Sequence, residues 1–463
     1  MKTLLPLIFS LILFGPLACS KQNGDRSSKQ TAAAYVSDNY QAPVFEDKER
    51  IQKISEALAG SFHHYAETAE LNHLPALVYG LVVDDSLVFV GSYGSADLET
   101  GAAATEHTLF RIASMSKSFT AMAILMLRDD GKLALSDPVS AYIPELEQLT
   151  YLTADATPVT IWNLLTMTAG FPEDNPWGDR FLDISDTDLL EQVKKGISFS
   201  SVPSLHYEYS NLGFGLLGQI ITQVSGLPYQ EYISRNILQA LGMNRTYWEY
   251  SRVPDELLAR GYKWEENNWI SEPLLHDGAF GAMGGLITSI SDFSKYISFH
   301  LSAWPPRSDP DTGPVKRSTL REMHRMNNPN FYQDPDHFLH SSIPFMRGYG
   351  FGLVAMKDRE GNMEVGHNGG LPGFGSSFSF FPQHGIGIMA FSNLTYVGGT
   401  VRSANYRVME ELDSLGLFIP RALPVSDILE LRKEQVKQLL LSWDPALEKD
   451  LVAANFYLDI SRE

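Results

Sequence analysis

The feature that most constrains the fold is an apolar segment from Phe119 to Leu127, preceded by Ser114 and Lys117 and followed by Gly131. Because nearly every residue in it is apolar, no face of a helix here is left for water, and such a helix belongs inside a domain. Gly131 is typical of a helix C-terminus. We therefore predict a central helix that is buried on all sides.

Ser114 and Lys117 lie at the start of this helix. A hydroxyl and an amine three residues apart on a helix share one face and can touch, and the positive end of the helix dipole suits a site that develops negative charge. The pair therefore predicts a serine nucleophile, Ser114, assisted by Lys117 in acyl transfer. The structural alternative is Ser114 as an N-cap and Lys117 as a solvated residue of the first turn.

Composition excludes several classes of function. The chain has 463 residues, of which 44% are hydrophobic and 20% charged, so it can form a large globular core. Its net charge of −19 disfavours nucleic acid as a partner, since phosphate binding needs basic patches. No apolar run of about 18 residues follows the N-terminus, so we expect no ordinary transmembrane helix in the body of the protein.

The N-terminus predicts export. Residues 1–18 have a charged start and an apolar stretch from Leu4 to Phe14, as in a signal peptide, and they end at Cys19, the single cysteine. This arrangement resembles a bacterial lipoprotein signal with Cys19 as the lipidation site, although Pro16 departs from the usual pattern. The alternatives are cleavage elsewhere or a retained anchor. We expect a lipoprotein on the periplasmic face of a bacterial membrane, or a periplasmic protein, with contact to the membrane through the lipid only.

The rest of the chain predicts one catalytic domain. Residues 19–47 are polar and suit a flexible tether, 48–420 a catalytic domain, and 421–463 a helical appendage. Strand patterns over 76–93 and 348–392 enclose a mainly helical middle. The predicted fold class is therefore α/β: a sandwich with an antiparallel sheet flanked by helices, and an inserted all-helical lobe.

Further local predictions are made for segments outside these motifs. The periodicity predicts helices over 49–67, 212–225 and 287–300. Residues 301–345 read as a long loop, and 443–458 as a helix followed by a strand.

A second cluster, Tyr209-Ser210-Asn211, lies in the helical part of the chain. A nearby lysine ammonium would lower the pKa of Tyr209 and make it a better base. The Asn211 amide would hold a substrate amide or position Lys117. Alternatively, Tyr209 is a core residue and Asn211 is the N-cap of the following helix.

A third cluster, His367-Asn368-Gly369-Gly370, ends a predicted strand. Glycines let a ligand approach the backbone, and a backbone N–H here, with that of Ser114, would form an oxyanion hole. His367 would line the site and donate a hydrogen bond. The alternative is a glycine-rich strand end with a surface histidine.

Together these segments resemble the serine beta-lactamase and penicillin-binding-protein superfamily, in its class C branch, which also holds esterases and D-aminopeptidases. The resemblance covers roughly residues 50–415. The matching blocks are 110–117 with Ser-x-x-Lys, 160–170, 209–213 with Tyr-x-Asn, and 367–369 with the Lys/His-x-Gly pattern.

The resemblance implies a role for each position. Ser114 would be the acylated nucleophile, Lys117 and Tyr209 would share the acid and base chemistry, and Asn211 would hold the substrate amide. The N–H groups of Ser114 and Gly370 would bind the oxyanion. The resemblance implies neither a metal nor an organic cofactor.

The chain departs from the class A pattern, which has Lys-Thr-Gly where this chain has His-Asn-Gly. The Gly-x-Ser-x-Gly and His-Glu-x-x-His motifs are absent from the sequence, which argues against an α/β-hydrolase or a zinc protease. At its ordinary pKa of about 6.5, His367 would be mostly neutral at pH 7.5. We therefore expect weak penicillin turnover, with activity on acidic substrates rising toward pH 6.

The leading hypothesis is a serine acyl hydrolase that acts through a Ser114 acyl-enzyme on an ester, an amide or a D-amino-acid peptide at the cell envelope. The first alternative is a D,D-peptidase or beta-lactamase. The second is a non-catalytic envelope protein that binds peptidoglycan peptides. In each case the partner is a small molecule or peptide, and the oligomeric state is left open.

Overall fold

The computed structural model describes residues 40–175, 177–332, 345–358, 361–453 and 455–459. The predicted signal peptide, with its lipidation cysteine, and most of the predicted tether lie outside these ranges.

One antiparallel sheet organises the described chain. The strands are β1 Ala76–Val83, β2 Ser86–Asp97, β3 Ala102–Ala103, β4 Phe110–Arg111, β5 Tyr262–Glu265, β6 Asn268–Ser271, β7 Ile287–Thr288, β8 Asn328–Tyr332, β9 Phe345–Tyr349, β10 Val354–Asp358, β11 Met363–Leu371, β12 Phe374–Phe381 and β13 Ile386–Ser392. Nine of them pair in the order β3-β2-β1-β13-β12-β11-β10-β9-β8. The early and late strands join where β1 pairs with β13, so the two predicted β segments form one sheet, as expected.

The described chain also contains fifteen α-helices. They are α1 Arg50–Ala57, α2 Phe62–Leu71, α3 Lys117–Asp129, α4 Ile161–Leu165, α5 Trp177–Arg180, α6 Asp186–Lys194, α7 Asn211–Ser225, α8 Tyr229–Ile233, α9 Gly281–Gly284, α10 Ile290–Leu301, α11 Arg317–Met323, α12 Gly398–Ser414, α13 Asp427–Leu441, α14 Pro445–Leu451 and α15 Phe456–Asp459.

The sheet separates two hydrophobic cores because successive side chains of a strand point to opposite faces. On β1, Leu77 packs into a core shared with α1, α2 and α12. The next residue, Val78, packs into the larger core on the other face, together with Ile297 of α10 and the helical lobe. The predicted sandwich with an inserted helical lobe is thereby confirmed.

Helix α3 is the centre of the lobe. Phe119, Met122 and Leu125 on it are fully buried, which confirms the prediction of a buried central helix. The helix is preceded by a 3-10 turn at Ala113–Ser116, so Ser114 lies in that turn and Lys117 is the first α-helical residue. The site is therefore built at a junction between two helix types.

Several local predictions are wrong. The helix over 49–67 is two helices, because the chain turns through a 3-10 segment at Leu58–Gly60. The segment 287–300 begins as strand β7, and Ser289 then caps α10. The expected loop over 301–345 contains α11 and β8.

The described C-terminal part is helical. Asp444 caps α14, and Pro445 occupies the first helical position, where its missing N–H costs nothing. The strand predicted within 443–458 is therefore wrong. Among the described residues, no helix combines the length and the apolar character needed to cross a bilayer.

Candidate active site

The backbone at the nucleophile is strained. Ala113 has a φ of +51°, a left-handed conformation that residues with a Cβ adopt rarely and that concentrates at functional sites. The turn is held from behind by strand β12, whose Ser376 hydroxyl donates to the Ile112 carbonyl oxygen at 2.8 Å. This fixed turn places Ser114, which is 9% exposed, at the wall of a cleft.

Ser114 is contacted by both predicted catalytic partners. The Lys117 Nζ lies 3.0 Å from the Ser114 Oγ, and the Tyr209 hydroxyl donates to the same oxygen at 2.8 Å. Lys117 also contacts the Asn211 Oδ1 at 2.8 Å and the Met283 carbonyl oxygen at 2.9 Å. The structure thus places three oxygen atoms, from Ser114, Asn211 and Met283, around the Lys117 amine. The alternative of Lys117 as a solvated residue is wrong, since its side chain is fully buried.

Burial makes Lys117 a candidate base. Removal of its ammonium from water lowers the pKa of Lys117 to about 7, and the nearby Asp179 and Asp174 carboxylates oppose this shift. About half of a group with such a pKa is neutral at pH 7. A neutral amine beside the Ser114 hydroxyl is able to accept its proton.

Tyr209 does not have the lowered pKa that the sequence suggested. Its side chain is buried, and burial raises the pKa of Tyr209 well above the ordinary value of 10, while the hydrogen bond to Ser114 opposes the rise. The expectation of a lowered pKa for Tyr209 is therefore wrong, and its part in the acid and base chemistry stays a prediction. The hydroxyl stays protonated and acts as a donor.

Asn211 lies behind the cleft. It is fully buried and is the first residue of α7, whose N-cap is Ser210; the interpretation of Asn211 as the cap is therefore wrong. Its Nδ2 contacts the Asn175 Oδ1 at 2.5 Å and the Asp179 Oδ1 at 3.4 Å. These contacts orient the Oδ1 toward Lys117. A direct contact between Asn211 and substrate stays a prediction.

The block around α4 positions Tyr209. Thr160 and Asn163 form a capping box at the start of α4. The following turn includes Met167, with a φ of +58°, and its carbonyl and sulfur accept hydrogen bonds from the backbone N–H groups of Glu208 and Ser210. The residues on either side of Tyr209 are thereby held in place.

His367 is buried rather than on the surface, with 7% of its area exposed. Its Nε2 lies 3.2 Å from the Tyr349 hydroxyl and its Nδ1 lies 2.5 Å from the Asn368 carbonyl oxygen. Burial, assisted by the positive charge of Lys117, lowers the pKa of His367 to about 3. The expectation that it titrates near 6.5 is therefore wrong, and the predicted rise of activity on acidic substrates toward pH 6 loses its stated cause.

The two predicted glycines occupy different places. Gly369 packs against the nucleophile turn, where an added Cβ would lie 2.3 Å from the Ile112 carbonyl oxygen. Gly370 lines the cleft in front of Ser114. Close packing explains the glycine at 369, whereas the oxyanion role of Gly370 stays a prediction.

The cleft has a volume of about 460 Å³. Its described lining consists of Ser114, Asn175, Asp179, Tyr209, His367, Asn368, Gly370 and Tyr396. Sequence reasoning missed Asn175, Asp179 and Tyr396, which belong to no motif that we recognised. Asn175 and Asp179 lie in the polar segment between the block at 160–170 and Tyr209, but nothing in that segment singled out either residue.

Comparisons with known proteins show the family of the chain. The profile of the family described as Beta-lactamase matches residues 63–413. The protein named Protein flp from Staphylococcus aureus (strain COL) is 28% identical over 349 residues, which are 73% of this chain and 64% of that protein. The Beta-lactamase-like protein 2 from Dictyostelium discoideum is 29% identical over 251 residues, 52% of this chain and 45% of that protein.

A solved structure shares the fold. The octameric penicillin-binding protein homologue from Pyrococcus abyssi superposes with a TM-score of 0.64 at 24% sequence identity, covering 82% of both chains. The chain spans 64% of the length of the Staphylococcus aureus protein.

Proposed function

The chain belongs to the beta-lactamase family, and on that premise we propose that it is a serine acyl hydrolase in which Ser114 carries the acyl group. The observation that carries the proposal is the convergence of the Lys117 amine and the Tyr209 hydroxyl on the Ser114 Oγ, at 3.0 and 2.8 Å. An amine and a hydroxyl within hydrogen-bond distance of one serine match the arrangement needed to activate a nucleophile.

In the proposed acylation step, neutral Lys117 accepts the proton of the Ser114 hydroxyl. The Oγ attacks the carbonyl carbon, and the bond to the leaving group breaks as the tetrahedral intermediate collapses. The proton passes from the Lys117 ammonium to the leaving group through the Tyr209 hydroxyl, which touches the same Oγ. The product is an ester of Ser114.

The oxyanion of the intermediate is assigned to the backbone N–H groups of Ser114 and Gly370. Both residues line the cleft, and Ser114 lies in a turn that immediately precedes helix α3, where the dipole favours negative charge. Deacylation repeats the chemistry with water: Lys117 accepts a proton from water, hydroxide adds to the ester carbonyl, and Ser114 leaves with the returned proton.

The substrate class that we propose is an ester, an amide or a D-residue peptide at the cell envelope. His367 stands where the class A pattern has the lysine of Lys-Thr-Gly, and its low pKa leaves it neutral. Its Nδ1 lies beside the Asn368 carbonyl oxygen, which only accepts, so Nδ1 carries the single proton of the neutral ring and Nε2 accepts from the Tyr349 hydroxyl. The imidazole therefore offers a substrate carboxylate neither a charge nor an N–H, whereas a hydrogen bond from an ammonium is worth about 1.5–3 kcal/mol. This favours substrates that rely little on a carboxylate, over penicillins.

The catalytic proposal is preferred to a binding role because of the lysine. Burial of Lys117 lowers its pKa into the working range and destabilises its charged form, which a pure binding site does not need. A binder with this fold would tolerate an apolar residue at position 117.

Covalent labelling tests the proposal. A serine-directed fluorophosphonate should add one label per chain, on Ser114, and the mass of the intact protein measures it. Ser114→Ala should remain unlabelled, while Ser118→Ala, which removes a neighbouring buried hydroxyl, should keep its label. Equal labelling of wild type and Ser114→Ala would refute the assignment.

A further inference from the structure

One wall of the cleft has no role in the mechanism proposed above. It is formed by Asp179, which is 4% exposed, and by Tyr396, which is 43% exposed. The Tyr396 hydroxyl donates a hydrogen bond to the Asp179 carboxylate. The two side chains lie in the same cleft as Ser114, so a bound acyl group would reach them.

The charges around the cleft are unbalanced. Asp179 is the only carboxylate among the described residues that line it. His367 is neutral because its pKa is about 3, and Lys117 is fully buried with a pKa of about 7. Burial raises the pKa of Asp179, and the positive charge of Lys117 opposes this rise. When Lys117 is neutral, as its role as a base requires, Asp179 loses the charge that favours its ionised form. A positively charged group on the substrate would restore this charge.

Tyr396 places an aromatic ring beside that carboxylate. Its φ is +57°, a strained conformation for a residue with a Cβ. The ring lies next to Gly370, since a Cβ added there would come within 2.9 Å of the Tyr396 Cδ1. A carboxylate and an aromatic ring together form a suitable site for an organic ammonium, through ion pairing and cation–π attraction.

The nearby Asp174 is already used for another purpose. Its two carboxylate oxygens accept the backbone N–H groups of Asn211 and Leu212 at 2.8 and 2.7 Å, and so cap helix α7. The Asp179 Oδ1 has a longer contact of 3.4 Å with the Asn211 Nδ2. Asp179 accepts hydrogen bonds from two side chains, those of Asn211 and Tyr396, and it lines the cleft, so it is the carboxylate that a ligand in the cleft can reach.

We propose that Asp179 and Tyr396 bind an ammonium group on the acyl part of the substrate, and that the enzyme prefers acyl groups with a free amine near the reacting carbonyl. This inference rests on the proposed acyl-enzyme function and names its substrate class. A short chain of contacts links Asp179 to the nucleophile through Asn211 and Lys117, with distances of 3.4, 2.8 and 3.0 Å. The amine therefore belongs within a few bonds of the carbonyl, as in an aminoacyl group.

Asp179 also acts on Lys117, and this second effect has to be separated from binding. Its negative charge opposes the fall in the Lys117 pKa, so its removal should shift the pH profile for every substrate alike. A binding role instead changes the ratio between substrates with and without the amine. The ratio is therefore the quantity to measure.

The experiment compares D-alanine 4-nitroanilide with its N-acetylated form. Wild type should favour the free amine in kcat/KM by roughly tenfold or more, since a hydrogen bond to a charged group is worth about 1.5–3 kcal/mol. Asp179→Asn should lose this preference. Asp183→Asn, which removes a charge from an exposed position four residues away, should retain it. Equal kcat/KM for the two substrates in wild type, or a preference that survives in Asp179→Asn, would overturn the inference.

A binding measurement keeps the inference separate from catalysis. Calorimetry on Ser114→Ala should show tighter binding of D-alaninamide than of N-acetyl-D-alaninamide, and Asp179→Asn in that background should abolish the difference. Tyr396→Leu should weaken the binding of D-alaninamide more than Tyr396→Phe does, because phenylalanine keeps the aromatic ring. Failure of fluorophosphonate labelling would remove the proposed function, whereas equal binding of the two amides would remove the ammonium site alone.

Discussion

At the scale of single residues, the charge of Lys117 controls the proposed chemistry. Its pKa of about 7 results from burial, so the amine is the active base above this pH and the inactive ammonium below it. We predict that kcat/KM for an aryl ester rises with pH and reaches half its plateau near pH 7. Lys117→Ala should lower the plateau about 100-fold or more, the usual contribution of a general base.

Stopped-flow or steady-state rates from pH 5 to 9 measure this profile. His107→Gln is a suitable control, because His107 is a titratable residue outside the cleft lining. A rate that is independent of pH between 6 and 8 would contradict the role of Lys117 as the base.

His367 sets the second prediction at this scale. Since the neutral imidazole has no fixed charge to offer, wild type should hydrolyse penicillins weakly. His367→Lys should raise the ratio of kcat/KM for a penicillin to that for an aryl ester by roughly tenfold or more, since a hydrogen bond from an ammonium is worth about 1.5–3 kcal/mol. His367→Gln is the neutral control, and an unchanged ratio in the lysine variant would show that another group discriminates.

The sequence predicted the identities of these residues better than their ionisation. Ser114 and Lys117 are close along the chain, and the resemblance supplied Tyr209 and His367. The pKa values of Tyr209 and His367 depend on how deeply the lobe and the sheet bury them, and no local pattern reports that. Asp179 and Tyr396 were missed for a related reason, because they meet only in the folded chain.

At the scale of elements, strand β11 and the nucleophile turn form one packed unit. A Cβ on Gly369 would lie 2.3 Å from the Ile112 carbonyl oxygen and 3.0 Å from the Ala113 Cβ. Gly369→Ala must therefore displace the turn that carries Ser114. We predict that fluorophosphonate labelling slows about 100-fold, the effect of a displacement of about 1 Å on a reacting group.

The control for this variant is Gly399→Ala in α12, where an added Cβ meets nothing within 4 Å. It should label at the wild-type rate. Circular dichroism and thermal unfolding would establish that the Gly369→Ala protein is folded, and labelling of the folded variant at the normal rate would show that the turn does not depend on this contact.

The elements themselves were predictable to the extent that their signals are local. The apolar α3 and the alternating strands were found because their patterns repeat over many residues. The ends of the elements were harder to predict from the sequence. The 3-10 turn at Ala113–Ser116 depends on the sheet behind it, and the N-cap at Ser210 depends on the fixed segment around Tyr209. The break between α1 and α2 and the start of α10 were missed for the same reason.

At the scale of the whole molecule, the segment before α1 and the segment after α12 are joined to each other. Val44 pairs with Ala422 in a β-bridge, and Arg50 and Arg421 both reach Asp84, at 2.7 and 3.2 Å. Val44 is therefore held near the turn between β1 and β2.

The last prediction concerns the lipid anchor expected at Cys19. If Cys19 is lipidated, the mature protein should remain with membranes and partition into detergent, because an acyl chain contributes about 0.8 kcal/mol for each buried CH₂. The Cys19→Ala protein should lose this association. It should keep its fluorophosphonate labelling, because other residues form the fold and the site. Fractionation and N-terminal mass measurement decide the matter. A wild-type protein found wholly in the soluble fraction, beginning at a residue other than Cys19, would contradict the lipoprotein and leave the acyl-enzyme proposal intact.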